Sequence, residues 1–292
     1  MAAAWIGDFL VQQELPDSYR RTLDHVVEPL AARLARDAAE HTAPRVVGLC
    51  GPQASGKTTL TAALGFALRD RGMTCVGFSI DDLYLPRRAR LILAETAHPL
   101  LATRGPPGTH DVALGERLLD ALAAPGRLAL PRFDKATDDR AAQPDWPVVE
   151  GPAQIVLFEG WCVGARPQPE GDLTAPVNRR EAEEDPDGVW RRYVNTALAG
   201  PYQALFGRID HLILLAPPSF DVVVGWRQEQ EAKLRERLQR LGADGARTQS
   251  DADIARFVQL YERLTRHILA EMPDRADSLI RLGPNREPEL VR

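Results

Sequence analysis

Residues 46–58 read VVGLCGPQASGKT, an apolar run followed by Gly-x-x-x-x-Gly-Lys-Thr. That order of strand, glycine-rich turn and helix start is the phosphate-binding loop, and few folds can hold it. Val46 to Cys50 is a short apolar strand. Gly51 and Gly56 let the backbone fold tightly, and Thr58 to Leu68 continues as a helix. Backbone amides of Gly51, Pro52, Gln53, Ala54, Ser55, Gly56, Lys57, Thr58 and Thr59, proline excepted, then converge on a polyphosphate. In this pattern Lys57 reaches the β- and γ-phosphates and the Thr58 hydroxyl meets Mg²⁺. ATP with Mg²⁺ is the expected cofactor pair.

The rest of the chain alternates strands with helices. Strand candidates are Val46–Cys50, Thr74–Ser79, Gln154–Phe158, Asp210–Leu215 and Ser278–Leu282. Near-continuous apolar strands of this kind are covered on both faces. The reading is an α/β P-loop NTPase fold, a three-layer αβα sandwich with a mainly parallel, doubly wound sheet. Residues 1–43 form an N-terminal helical extension of two helices, the second capped by Asp17 and spanning Ser18–Ala39. Residues 44–292 form the phosphate-loop domain. Inside it, 98–151 is an insertion for the acceptor, and the polar, proline-rich stretch 165–188 is a mobile surface loop.

Composition closes off several classes. A net charge of −5 over 292 residues argues against a nucleic-acid or anionic-membrane surface. No run of about 18 apolar residues offers a membrane span. The N-terminal segment carries Asp8, Glu14 and Asp17 and does not read as a secretory signal. Cys50, Cys75 and Cys162 are isolated, without zinc spacing, and fit a reducing cytoplasm. A homodimer is compatible with the sequence, which leaves the oligomeric state open.

In such sheets ligands sit beyond the carboxyl ends of the strands, and polar groups cluster there. SIDDLYL (79–85) puts Asp81, Asp82 and Tyr84 at the end of the second strand. Phosphoryl transfer to a hydroxyl needs a group that positions the alcohol and takes its proton, and Asp81 is the candidate. Asp82 either joins it or caps the next helix. IVLFEG (155–160) ends in Glu159, which fits a second Mg²⁺ carboxylate. RGPPGTHD (104–111) offers Arg104, His110 and Asp111. Arg104 suits a carboxylate, and Asp111 either joins it or caps Val112–Leu122. PRFDK (131–135) adds Arg132, Asp134 and Lys135. Together these segments suit a small anionic acceptor. In WRQEQEAKLRERL (226–238), Arg227, Lys233 and Arg235 either belong to a solvated face with pairs such as Glu231–Arg235 or to a lid that brings Arg to the transferring phosphate. Gly283–Glu287 is a candidate border for the adenine.

These motifs together resemble the P-loop kinases of small metabolites, the group of uridine, pantothenate and phosphoribulose kinases. Within that group SIDDLYL, HPLL, RGPPGTHD, LPRFDK, WPVVEGP, FEGWCVG and VNTALAGPY resemble plant-type D-glycerate 3-kinase and its fungal and bacterial relatives over roughly 45–285. The resemblance departs at Leu83, where the family usually has Phe, and over 165–188. It implies ATP-dependent phosphorylation of a small hydroxyl substrate such as D-glycerate. Asp81 is then the base, Lys57 the phosphate ligand, and Thr58 with Glu159 the metal ligands. Asp82, Tyr84, Arg104, His110, Asp111, Arg132, Asp134 and Lys135 line the acceptor pocket. The alternatives are a kinase of another small acceptor, a P-loop ATPase or GTPase switch, and a non-catalytic nucleotide-binding regulator. No lysine follows an asparagine, so the Asn-Lys-x-Asp motif of a GTPase is missing.

Overall fold

The computed structural model describes residues 5–240 and 250–292, without the side chains of 237–239. The first four residues of the expected N-terminal extension lie outside it, as do the side chains at the end of the charged helix. The chain opens with α1 (Trp5–Gln12) and a nearly continuous helix of α2 (Arg20–Thr22), one π-helical turn and α3 (Glu28–Ala39). Asp17 is not its cap. Pro16 takes that position in an extended conformation, and Asp17 begins the first turn with its carboxylate held by Arg20 at 2.6 Å. Leu23, Val27, Leu30 and Leu34 are buried at helical spacing, each worth about 1.5–3 kcal/mol of apolar transfer.

The phosphate-loop domain runs β1 (Arg45–Cys50), α4 (Lys57–Asp70), β2 (Cys75–Ser79), α5 (Arg87–Thr96), α6 (Val112–Leu122), β3 (Gly126–Ala129), β4 (Phe133–Asp134), β5 (Asp139–Arg140), β6 (Val148–Gly151) and β7 (Ile155–Gly160). It continues with α7 (Arg179–Glu184), α8 (Val189–Ala199), α9 (Pro201–Phe206), β8 (His211–Ala216), α10 (Asp221–Arg240), α11 (Asp251–Glu271), β9 (Ser278–Leu282) and β10 (Pro288–Leu290). The central sheet has the order β10-β9-β8-β1-β7-β2 and is parallel except for β10.

Alternate strand residues feed two cores, as the two-residue period of a strand requires. Val47, Leu49, Ile155, Leu157, Ile213 and Leu215 pack with α1, α3 and α4. Val46, Val156, Phe158, Leu212 and Leu214 pack on the opposite face with α6, α8, α9 and α11. Cys50 and Cys162 are buried and Cys75 partly so, all three as free thiols.

Two stretches differ from the sequence reading. The 98–151 segment holds two small antiparallel ribbons, β3–β6 and β4–β5, that carry no periodic signal because their strands are only two to four residues long. The 165–188 stretch is not a plain surface loop. Leu173, Glu181 and Asp185 are buried there. Arg263 holds Glu181 through two bonds of 2.8 and 2.7 Å, and Arg191 holds Asp185 at 3.0 Å. The acids that make the stretch look solvated find their cations on α8 and α11, beyond the reach of a local reading.

Candidate active site

The phosphate loop leaves β1, a central strand, and enters α4. Gly56 caps that helix with φ of 87°, a left-handed conformation that side chains resist, and Ala54 is also left-handed at 56°. The turn folds around polar groups left without protein partners. The Gln53 amide atoms and the Ser55 hydroxyl are buried and unbonded among the described residues. Buried polar atoms normally have partners, so this cradle is built for a polar guest. Lys57 Nζ donates to the Pro52 carbonyl at 2.8 Å, curling back over the loop. Thr58 and Thr59 follow in the first turn of α4. From the other side, Arg286 lies over the Trp226 ring at 5.6 Å and approaches the Ala54 carbonyl at 3.4 Å, so Gly283–Glu287 borders the loop.

Sheet register brings the carboxylates to this loop. β7 pairs with both β1 and β2, which sets Glu159 opposite Leu49 and Ser79. Thr58 Oγ1 donates to Glu159 Oε1 at 3.2 Å. Burial pushes the Glu159 carboxyl above its ordinary range, against the pull of Lys57. An oxygen pair of this kind, short of positive charge, fits Mg²⁺, a hard cation that keeps waters and phosphate oxygens as its other ligands.

Asp81 lies in the 3₁₀ turn that follows β2 (Ile80–Leu83). It accepts from Tyr84 Oη at 2.9 Å and from Lys135 Nζ at 2.8 Å. Burial alone would raise its carboxyl, but Lys135, His110 and the Tyr84 hydroxyl together hold it below its ordinary value. Asp82 completes a capping box with Ser79 at the start of this turn, not at α5, and also takes Arg132 Nη1 at 2.7 Å. Burial raises its carboxyl despite Arg132.

The remaining candidates divide in two. Arg104, Arg132, Lys135 and Arg227 line a cleft of about 1570 Å³ together with Lys57, Thr58, Asp81, Asp82, Tyr84 and Glu159. His110, Asp111 and Asp134 stand outside it. His110 stacks behind Tyr84 at 4.5 Å and bonds Tyr202 Oη at 2.6 Å, and burial lowers its pKa to about 4. Asp111 caps α6 through the Leu114 amide. Asp134 folds the β4–β5 turn through Ala136 N and Thr137 Oγ1. On α10, Arg227 pairs with Glu231 at 2.8 Å, whereas Lys233 and Arg235 bond Glu229 and Asp251 away from the cleft. Glu231 thus pairs with Arg227.

The sequence reading passed over Arg90, Asp138, Arg180, Arg256 and Tyr261. Arg90 is buried under the cleft wall, and the other four line the cleft. None stands in a motif, and only the fold brings them in. Among the described residues, nine cations line the cleft (Lys57, Arg69, Arg87, Arg104, Arg132, Lys135, Arg180, Arg227, Arg256) against six carboxylates (Asp81, Asp82, Asp138, Glu159, Glu231, Asp253). The cleft is thus positive on a chain of net charge −5, which concentrates anions in it.

A parallel sheet with this loop on a central strand, an acid after the neighbouring strand and a cation-lined cleft defines a P-loop phosphotransferase. No family model matches the chain. It is 31% identical over 251 residues to the uncharacterised kinase mug58 of Schizosaccharomyces pombe, covering 82% of this chain and 86% of that protein. It is 31% identical over 228 residues to the chloroplastic D-glycerate 3-kinase of Arabidopsis thaliana, covering 75% of this chain and 46% of the longer plant protein. A solved structure of D-glycerate 3-kinase from Cryptococcus neoformans superposes with a TM-score of 0.71 over 90% of this chain and 98% of that one, at 24% identity, and shows the same fold. The chain belongs to the same family as the kinase mug58 and is a P-loop phosphotransferase. Among the described residues, no helix is long and apolar enough to cross a membrane.

Proposed function

We propose that the chain transfers the γ-phosphoryl group of ATP to a hydroxyl of a small carboxylic acid, D-glycerate, giving 3-phosphoglycerate. The observation that carries this reading is Asp81, held ionised by Lys135 and Tyr84 in the same cleft as the Thr58–Glu159 pair and Lys57. In this reading the loop amides and Lys57 bind the triphosphate. Thr58 and Glu159 would hold Mg²⁺, which would supply neutralising charge to the phosphates. The Asp81 carboxylate orients the acceptor hydroxyl and takes its proton as the oxygen bonds to phosphorus and the bond to ADP breaks. In this reading Arg227, which lines the cleft, meets the transferring phosphate, and Arg104 receives the acceptor carboxylate. Asp82 aims Arg132, and His110, Asp111 and Asp134 shape the pocket from behind. The three unpaired thiols support a reducing, cytoplasmic setting.

The test is a panel of D-glycerate, pantothenate, uridine and sugar-phosphate acceptors with ATP and Mg²⁺, scored by ADP release and by product identity. D-glycerate should give the highest kcat/KM. A different best acceptor would overturn the acceptor, and ADP release that no acceptor stimulates would overturn the kinase mechanism.

A further inference from the structure

Three cations of the 98–151 segment reach the cleft: Arg104, Arg132 and Lys135. Two are matched one to one, Arg132 by Asp82 and Lys135 by Asp81. Arg104 is different. It donates to Asp138, and Asp138 is also held by Arg90, which is wholly buried. Arg90 donates to the carbonyls of Leu85 at 3.2 Å, Ala102 at 2.8 Å and Asp138 at 2.6 Å, and its Nη2 lies 3.0 Å from the Asp138 carboxylate. One carboxylate between two guanidinium groups leaves a net positive charge, and only Arg104 of the two faces the cleft.

The geometry is fixed from several sides. Asp138 holds a left-handed backbone with φ of 57° between β4 and β5, a conformation that Asp tolerates better than most residues. Arg90 and Arg104 both lie on the Phe133 ring, at 5.7 and 5.6 Å. Phe133 in turn meets Tyr84 edge-on at 5.1 Å, and Tyr84 bonds Asp81. The guanidinium of Arg104 is thereby set in a fixed place relative to the acid that would receive the hydroxyl proton. Two points of contact on one small acceptor, at Asp81 and at Arg104, align its hydroxyl for attack.

We propose that Asp138, clamped by Arg90, is the positioning residue that aims Arg104 at the acceptor carboxylate, so that this triad sets the preference for acidic over neutral acceptors. The inference rests on the acidic-acceptor reading above. Arg90 neutralises Asp138, so Arg104 keeps its charge for the substrate while Asp138 keeps its direction.

The experiment compares D-glycerate with its amide in wild type, Asp138→Gly, Asp138→Asn, Arg104→Ala and the double variant Asp138→Gly/Arg104→Ala. Glycine removes the carboxylate without straining the left-handed backbone. Asp138→Gly should raise the KM for the acid about tenfold, the weight of one charge-assisted hydrogen bond, and lower the acid-over-amide preference by the same factor. The KM for ATP should hold. The melting temperature should fall, because wholly buried Arg90 loses its carboxylate, so the kinetics are read well below it and the acid-over-amide ratio is the deciding readout. Asp138→Asn, which keeps an oxygen in place, should restore most of the preference. In the Arg104→Ala background, Asp138→Gly should add nothing further. An unchanged acid KM overturns the proposal, as does an equal loss on acid, amide and ATP. If another hydroxy acid is phosphorylated in place of D-glycerate, the choice of acceptor fails and the triad is tested on that acid and its amide. If no carboxylic acid is an acceptor, both fail.

Discussion

At the scale of single residues, charge placement explains the site. Lys57→Ala should abolish turnover, because Lys57 is the cation within the loop itself and in this reading supplies the charge at the β- and γ-phosphates; ADP release at saturating acceptor measures it. Asp81→Asn keeps the shape of the turn but loses the proton acceptor. It should leave ATP affinity near normal while cutting kcat by about 100-fold or more, and near-normal kcat would remove Asp81 from the mechanism. Glu159 gives a separate signature. Its carboxyl is raised by burial, so protons and Mg²⁺ compete for it. The Mg²⁺ concentration for half-maximal rate should rise as pH falls through that titration. Glu159→Gln should raise it at all pH values by about tenfold or more, on the scale expected for loss of a ligand or its support.

At the scale of elements, the anchored 165–188 stretch is the informative case. Asn178 caps α7 and also bonds the Gln259 carbonyl at 2.9 Å, while the Arg180 amide bonds the Gln259 side chain at 2.9 Å. With the buried Arg263–Glu181 pair, these bonds lock α7 to α11 and so place Arg180 in the cleft wall. Glu181→Ala leaves a guanidinium buried without its partner. Removing one member of such a pair costs about 3–5 kcal/mol, which denaturant unfolding at neutral pH would measure. A cost below about 1 kcal/mol, the level of a surface pair, would show that the segment is not anchored this way. Gly105 makes a similar point within the acceptor loop. Its φ is 132°, and an added Cβ would lie 2.1 Å from Tyr261 Oη, so α11 and this loop approach closely only because the residue is glycine.

At the scale of the whole molecule, folding commits His110 to a neutral ring. Its pKa falls from 6.5 to about 4 on burial, so between those values the unfolded chain binds the extra proton. Stability therefore decreases as pH drops from 6.5 toward 4 and loses nothing further from this group below that. The full effect is about 3 kcal/mol. Comparing wild type with His110→Gln by urea unfolding at pH 7 and pH 4.5 isolates it. The variant should lose less stability than wild type over that interval, and equal losses would show that His110 titrates normally in the folded state. The same ring backs Tyr84, so this titration also bears on the wall behind Asp81.

Local and repetitive features could be read along the chain alone. The phosphate loop was legible because its glycines, lysine and threonine act within eight consecutive residues, and five strands were legible because parallel strands are apolar throughout. Asp81 and Glu159 stood out because strand ends mark the ligand side of such a sheet. Which charges meet depended on how the elements pack. Asp111 became a helix cap and Asp134 a turn former, and His110 went behind the cleft wall. Arg90, Asp138, Arg180 and Tyr261 became parts of the site or its frame without any motif to announce them. A cap or a loop depends on neighbours a few residues away and can be read in order. An ion pair such as Arg263–Glu181 spans 82 residues, and its partners are chosen by the packing of helices that no local pattern encodes.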